Sequence, residues 1–208
     1  MEHAFALKRA VCDMHGVDLD GIRVAAAGRT DRAIARSLLE AAGVGADTVD
    51  GRAEDVLAAT CAAYETLCPP DLSTTVAPGI AELLPRLAAR EDRFRLSLVT
   101  GNYERVARRK LAAAGIGPFF ATGQGAFGSD AEHREELPPI ARARAGNWPR
   151  ERTVVIGDTP QDIACARADA IGVVGMATGP YAAGALAEAD VVVETASELE
   201  AVLERLAA

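Results

Sequence analysis

The stretch Val154-Val-Ile-Gly-Asp-Thr-Pro-Gln-Asp-Ile-Ala-Cys-Ala-Arg-Ala168 decides how this chain is read. With Thr153 it opens on a β-branched run, Val154, Val155 and Ile156, of the kind that forms buried strands. Gly157 breaks the run, and Asp158 stands just past its C-terminal end. Pro160 suits the first turn of a helix, where a missing N–H costs nothing. Asp162 falls in that turn, near the positive end of the helix dipole. Two carboxylates four positions apart are thereby set at the crevice above a strand end, where open α/β sheets bind ligands. Hard divalent cations take such oxygen ligands. Taken as an isolated pair, the two acids are equally well read as capping and charging a helix start.

A chain of 208 residues has room for one medium domain, or for a domain with a small companion. Hydrophobic residues make up 50% but aromatics only 4%, so Ala, Val and Leu must fill the core. No apolar run approaches the length that spans a bilayer. The start, Met-Glu-His-Ala-Phe-Ala-Leu-Lys-Arg, lacks the pattern of a signal peptide, so a cytoplasmic protein without a membrane partner is expected. The cysteines (Cys12, Cys61, Cys68 and Cys165) show no C-x-x-C spacing and read as reduced thiols. A net charge of −8 and a pI near 5.0 argue against nucleic acid as a partner. Nothing in the sequence sets the oligomeric state.

Outward from the central stretch, residues 1–16 carry apolar residues at helical spacing, ended by Gly16. Asp18-Leu-Asp-Gly21 follows and reads as a turn after a helix. A helix is expected over 31–42, with Thr30 or Asp31 as its N-cap and Gly43 as its stop. Another is expected over 52–67, ended by Cys68-Pro-Pro70. Residues 1–76 therefore form a helical segment, and 77–208 alternate strands and helices. A helix over 80–90 contains Pro85, which calls for a kink or a late start. Strands are expected at 94–99, 119–122, 153–156, 171–176 and 191–193, with a loop at 123–131 and another at 178–183. Helices are expected up to 114, over 138–145 and over 197–206. This order implies an α/β fold with a mostly parallel sheet and right-handed crossovers.

A second stretch, Leu96-Ser-Leu-Val-Thr-Gly-Asn102, again sets polar groups at a strand's C-terminal end. The Thr100 hydroxyl, the backbone of Gly101 and Asn102 and the following helix N-terminus suit a phosphate. Alone, Thr100 is more simply a helix N-cap; beside the acidic motif the phosphate reading prevails.

The G-D-T-x-x-D after a strand resembles the last motif of the haloacid dehalogenase superfamily of phosphatases, and Thr100 matches that superfamily's second motif. The region from Pro78 to Leu206 is similar to its Rossmann-like core, most like the phosphoglycolate-phosphatase type, and the helical segment to its small cap. The resemblance implies Mg²⁺ held by Asp158 and Asp162. It implies phosphate held by Thr100, Gly101 and Asn102, and a small phosphorylated metabolite as substrate. It also implies a basic residue before the acidic motif, usually lysine. No lysine lies between Thr122 and Thr153, and Lys110 stands too far down a helix, so Arg134 is the substitute. Its plain alternative is a solvated arginine beside Glu132, Glu135 and Glu136. Arg29 is a candidate cap residue facing substrate, or an ordinary surface arginine.

The family's first motif, a strand ending in D-x-D-G-T that forms the middle of the sheet and supplies the attacking Asp, has no match. Asp18-Leu-Asp-Gly21 lacks its apolar lead-in. Without that strand, 94–99 and 153–156 are each expected to have an unpaired edge. The chain as given is expected to be inactive, with the first motif encoded in frame just upstream of Met1. The alternatives are a catalytically dead binding protein on the same fold, or a phosphomutase or dehalogenase. The acidic pair argues against a dehalogenase, and the lack of G-x-G-x-x-G against a dinucleotide-binding domain.

Overall fold

A computed structural model describes residues 2–207. It opens with four helices, α1 (Glu2–His15), α2 (Asp31–Ala41), α3 (Ala46–Gly51) and α4 (Ala53–Leu67). After α5 (Ile80–Ala88), strands alternate with helices: β1 (Val99–Thr100), α6 (Glu104–Ala113), β2 (Ala126–Phe127) and α7 (Leu137–Arg144). Then follow β3 (Val154–Gly157), α8 (Pro160–Ala168), β4 (Gly172–Met176), β5 (Val191–Val193) and α9 (Ala196–Leu206). Every strand pair is parallel. One sheet has the order β1-β2 and the other β3-β4-β5, with Val155 beside Val173 and Gly175 beside Val192. The α/β class and the parallel sheet are as expected from the sequence.

Each helix buries one stripe, and the stripes make the cores. Leu7 and Val11 of α1, Leu38 and Leu39 of α2, and Val56 and Tyr64 of α4 pack together with Tyr103 and Val106 from the start of α6. The strand β4 is buried on both faces. Val174 and Met176 meet α5 and α9 through Leu83, Leu87, Leu199 and Leu203, whereas Val173 meets Ile163 and Ala166 of α8. That alternation is the period of two of a strand, and its uninterrupted apolar sequence is what a strand covered on both sides requires.

Three local expectations need correction. The strand expected at 94–99 shrinks to Val99–Thr100, because its ladder partner β2 is only Ala126–Phe127. The strand expected at 119–122 is absent: Gly117–Phe119 form a 3-10 turn at Pro118, and the pairing residues lie instead inside the glycine-rich 123–131 segment. The helix expected from 52 is preceded by α3, which the sequence reading missed. Of the two outcomes expected for Pro85, the late start is not seen: α5 begins at Ile80 with Pro85 inside it.

Among the described residues, β1 pairs only with β2 and β3 only with β4. The free edges of β1 and β3 face a common groove of about 230 Å³, lined by Leu96 and Val99 on one side and Val154, Val155 and Ile156 on the other. Ile156 is 43% exposed there, so a residue type suited to the interior faces open space.

Candidate functional site

The β3–α8 connection places both acids of the opening motif. Thr159 is the N-cap of α8 and Asp162 its third residue. The two side chains form a capping box, with Asp162 Oδ2 accepting from Thr159 N at 3.0 Å and from Thr159 Oγ1 at 2.8 Å. The other oxygen, Oδ1, takes the Arg134 guanidinium at 2.5 Å. Gly157 makes this approach possible, since a Cβ there would lie 2.2 Å from the Asp162 carboxyl carbon. Asp158 differs. Its carboxylate stands half-buried at the end of β3, against the backbone of Gly179, and has no hydrogen-bond or ion-pair partner among the described residues.

Arg134 sits in a 3-10 turn just before α7 and is not solvated by its neighbours in sequence. Glu132 pairs with Arg36 instead. Arg134 spans from Asp162 to the carbonyl of Gly28, and its Nε is buried without an acceptor. Cys165 donates from Sγ to the Arg134 carbonyl, and burial pushes its thiol up to about 11, so it is not a reactive thiolate.

The phosphate candidates lie at the end of β1. Thr100 is not a helix cap, because Tyr103 takes the N-cap position of α6. Thr100 Oγ1 accepts from Asn102 N at 3.2 Å, which leaves its own proton free to donate. Gly101 is wedged between segments: a Cβ on it would lie 2.2 Å from the Arg29 carbonyl oxygen, and one on Gly128 would lie 2.0 Å from the Gly101 oxygen.

Thr100, Gly101, Asn102, Arg29 and Arg134 all line one cavity of about 610 Å³, together with Lys8 and Arg23 from the helical side. The Arg29 guanidinium is turned onto α2, donating to the Ala25 and Ala33 carbonyls and to Ser37 Oγ. Asp158 and Asp162 do not line this cavity; Arg134 joins Asp162 to it. Asp18-Leu-Asp-Gly21 is a surface turn in which Asp18 accepts from Asp20 N and Gly21 takes a positive φ of 73°.

Three residues that the sequence reading did not assign to the site also meet there. Asp31, 1% exposed, accepts from Tyr103 N at 2.8 Å and lies 3.0 Å from His3 Nε2. Lys110 reaches back along α6 to donate to Asn102 Oδ1 at 2.6 Å. Burial lowers its pKa and the Asp31 charge partly restores it. No spacing in the sequence signals this contact: Asn102 precedes the N-cap of α6 and Lys110 lies in the last turn of that helix, so only the reach of the lysine side chain brings them together.

The arrangement is a parallel α/β core whose strand ends face a helical layer across a cationic cavity. The family model for haloacid dehalogenase-like hydrolases matches residues 6–167, and one described as HAD-hydrolase-like matches 132–204. The chain belongs to the haloacid dehalogenase-like hydrolase family and is a hydrolase by that membership. A hydrolase from Pseudomonas syringae is 23% identical, with a TM-score of 0.66 over 100% of this chain and 92% of that one. A β-phosphoglucomutase from Clostridium difficile is 18% identical, with a TM-score of 0.63 over 99% and 89%. A predicted phosphoglycolate phosphatase from Haemophilus somnus is 16% identical, with a TM-score of 0.60 over 97% and 90%. No protein with a curated description matches the chain. No helix among the described residues is long and apolar enough to cross a membrane.

Proposed function

We propose that this chain has the machinery of a Mg²⁺-dependent phosphatase that binds a small phosphomonoester of phosphoglycolate type. The observation that carries the reading is the convergence of Thr100, Gly101, Asn102 and Arg134 on one cavity, from segments more than thirty residues apart. A hydroxyl donor, a backbone turn at a helix start and a guanidinium with an unused N–H together fit phosphate oxygens. Magnesium is bound through one or two carboxylates and keeps several waters, so a site without a third acidic, His or Cys ligand is consistent with it. Asp158 would be the first ligand, and Asp162 the second once Arg134 turns to the phosphate. The ion, when bound, would neutralise charge on the transferring group.

Asp31 is the one acidic residue among the described residues that lines the cavity, and both its oxygens are engaged, so no attacking carboxylate is assigned. A phosphomutase is the second reading, because the same groups would serve phosphoryl transfer to a sugar; one similar structure is a β-phosphoglucomutase. A screen of phosphate esters with Mg²⁺, paired with phosphate-binding calorimetry, tests the reading. Phosphate binding that Thr100→Val weakens is expected. A parent chain that binds neither phosphate nor Mg²⁺ would overturn it.

A further inference from the structure

Four side chains from four elements close a hydrogen-bonded ring behind the anion loop. Lys110 Nζ (α6) donates to Asn102 Oδ1 at 2.6 Å and faces His3 Nδ1 (α1) at 3.3 Å. His3 Nε2 lies 3.0 Å from Asp31 Oδ2 (α2), and Asn102 Nδ2 lies 3.5 Å from Asp31 Oδ1, the longest side of the ring. Donors and acceptors fit in only one sense around it. The ammonium donates twice, so Nδ1 of a neutral His3 accepts, and its proton sits on Nε2 and points at the carboxylate. The same logic fixes the Asn102 amide, with its oxygen toward Lys110 and its nitrogen toward Asp31. Lysine and aspartate cancel in charge, which suits a buried site. The Tyr64 ring covers the assembly, with the His3 ring edge-on at 5.6 Å and Lys110 Nζ 5.7 Å from its centroid.

The ring also grips the main chain of the loop. Asp31 N donates to Gly101 O at 2.7 Å, and Tyr103 N donates to Asp31 Oδ2 at 2.8 Å. Asp31 thus holds the residues on both sides of Asn102, while Lys110 holds its side chain. Thr30, the N-cap of α2, adds a hydroxyl bond to the Glu132 carbonyl at 2.5 Å, so the start of α2 is pinned to the core.

We propose that Asp31 and Lys110 are positioning residues for anion binding: through His3 and Asn102 they hold the Thr100–Tyr103 loop in the conformation that a phosphate meets. This rests on the reading of Thr100–Asn102 as the phosphate loop. Neither residue touches the ligand. They act by preorganisation, which removes the cost of ordering the loop when the anion arrives.

The test is calorimetric titration of inorganic phosphate, with Mg²⁺ present, into the full chain and its Lys110→Met, Asp31→Asn and double variants. Val11→Ala is the control, a cavity in the same helical core that leaves the ring untouched. Each ring variant should weaken phosphate about tenfold, and the double variant no more than the worse single, because both break one ring. Val11→Ala should melt lower yet bind as the parent does. ¹⁵N spectra of the parent should show His3 neutral with its proton on Nε2. Ring variants that bind like the parent, or a Val11→Ala that loses as much as they do, would overturn the proposal. So would an Nδ1-protonated His3, a result that does not depend on any variant folding. Thr100→Val separates the two levels: if it weakens phosphate while the ring variants do not, only the ring falls. If Thr100→Val is silent, or the parent binds no phosphate, the loop reading falls as well.

Discussion

Arg134 Nη2 donates to Asp162 Oδ1 while Thr159 occupies Asp162 Oδ2, so a single carboxylate serves both as a helix cap and as an ion-pair partner. Its motif partner Asp158 does neither. The two acids of one motif therefore differ in what their loss would do. On the proposed reading, the guanidinium and Mg²⁺ would compete for the same carboxylate.

Arg134→Ala is expected to move the two ligands in opposite directions. Removing a buried cation beside Asp162 strengthens the acidic pair for Mg²⁺, and removing a guanidinium from the cavity weakens phosphate. Each effect should reach about tenfold, the size of one charge-assisted hydrogen bond. Separate titrations of Mg²⁺ and of vanadate would show it. Weakening of both would mean that Arg134 mainly holds the turn before α7 in place.

Asp158→Asn should weaken Mg²⁺ binding with little change in melting temperature, because that carboxylate makes no hydrogen bond or ion pair among the described residues. Asp162→Asn should also weaken Mg²⁺ binding, but at a stability cost of about 1 kcal/mol for the lost cap and ion pair. Thermal melts of both proteins without metal check the contrast. Equal loss of stability in the two would place Asp158 in the structural frame.

The β3–α8 unit was legible because its signals are dense and local: a β-branched run, a glycine, a proline at a helix start and a capping box within ten residues. The short strands were not, because strand pairing is a tertiary event. Ala126–Phe127 lie between Gly125 and Gly128, where nothing local asks for a strand, and are held extended because Leu98 offers its carbonyl to Ala126 N and Asn102 offers its own to Gly128 N. Arg134 was found by elimination, but its partner could not be read, since three nearby glutamates compete on paper and none of them wins in space. The Asp31–His3–Lys110 arrangement had no local pattern at all: His3 and Lys110 are 107 positions apart. Distance along α6 hid the contact with Asn102: the long Lys110 side chain extends back toward the N-terminus of its helix, the direction in which helical side chains point.

Gly101→Ala should destabilise the protein and disturb the loop together. Its added methyl would meet the Arg29 carbonyl oxygen at 2.2 Å, a backbone atom that cannot swing aside. A cost of about 1–3 kcal/mol, the usual range for overpacking, is expected. Gly184→Ala is the matched comparison, with no atom within 4 Å of the new methyl and no positive φ, and it should be neutral or slightly stabilising. Chemical denaturation distinguishes them, and equal midpoints would show that the Arg29–Gly101 contact is loose.

Asp169 ends α8 at 4% exposure and ties it to α7 and to the turn before β3. Arg142 grips it from Nε at 2.6 Å and Nη2 at 2.8 Å, and Arg150 Nε adds a contact at 3.1 Å. The hydrogen bonds from Arg142, ahead of those from Arg150, hold its carboxyl below the usual carboxylate range. A depressed pKa in the folded state means that the unfolded chain takes up the proton first. The contribution is therefore complete above about pH 4, where Asp169 is ionised in both states, and declines as pH falls toward the folded value. Asp130 and Asp190 are lowered in the same way by Arg144 and Arg167, so the parent should lose stability steeply in acid. At pH 7, Asp169→Asn should be less stable by about 1–3 kcal/mol, the range for a hydrogen bond to a charged group. Its deficit should shrink as pH drops from 5 to 2, because the parent gives up the same interaction by protonation. Urea midpoints of the two proteins over that range decide the matter: a gap that stays constant with pH would mean that Asp169 acts through packing and not through its charge.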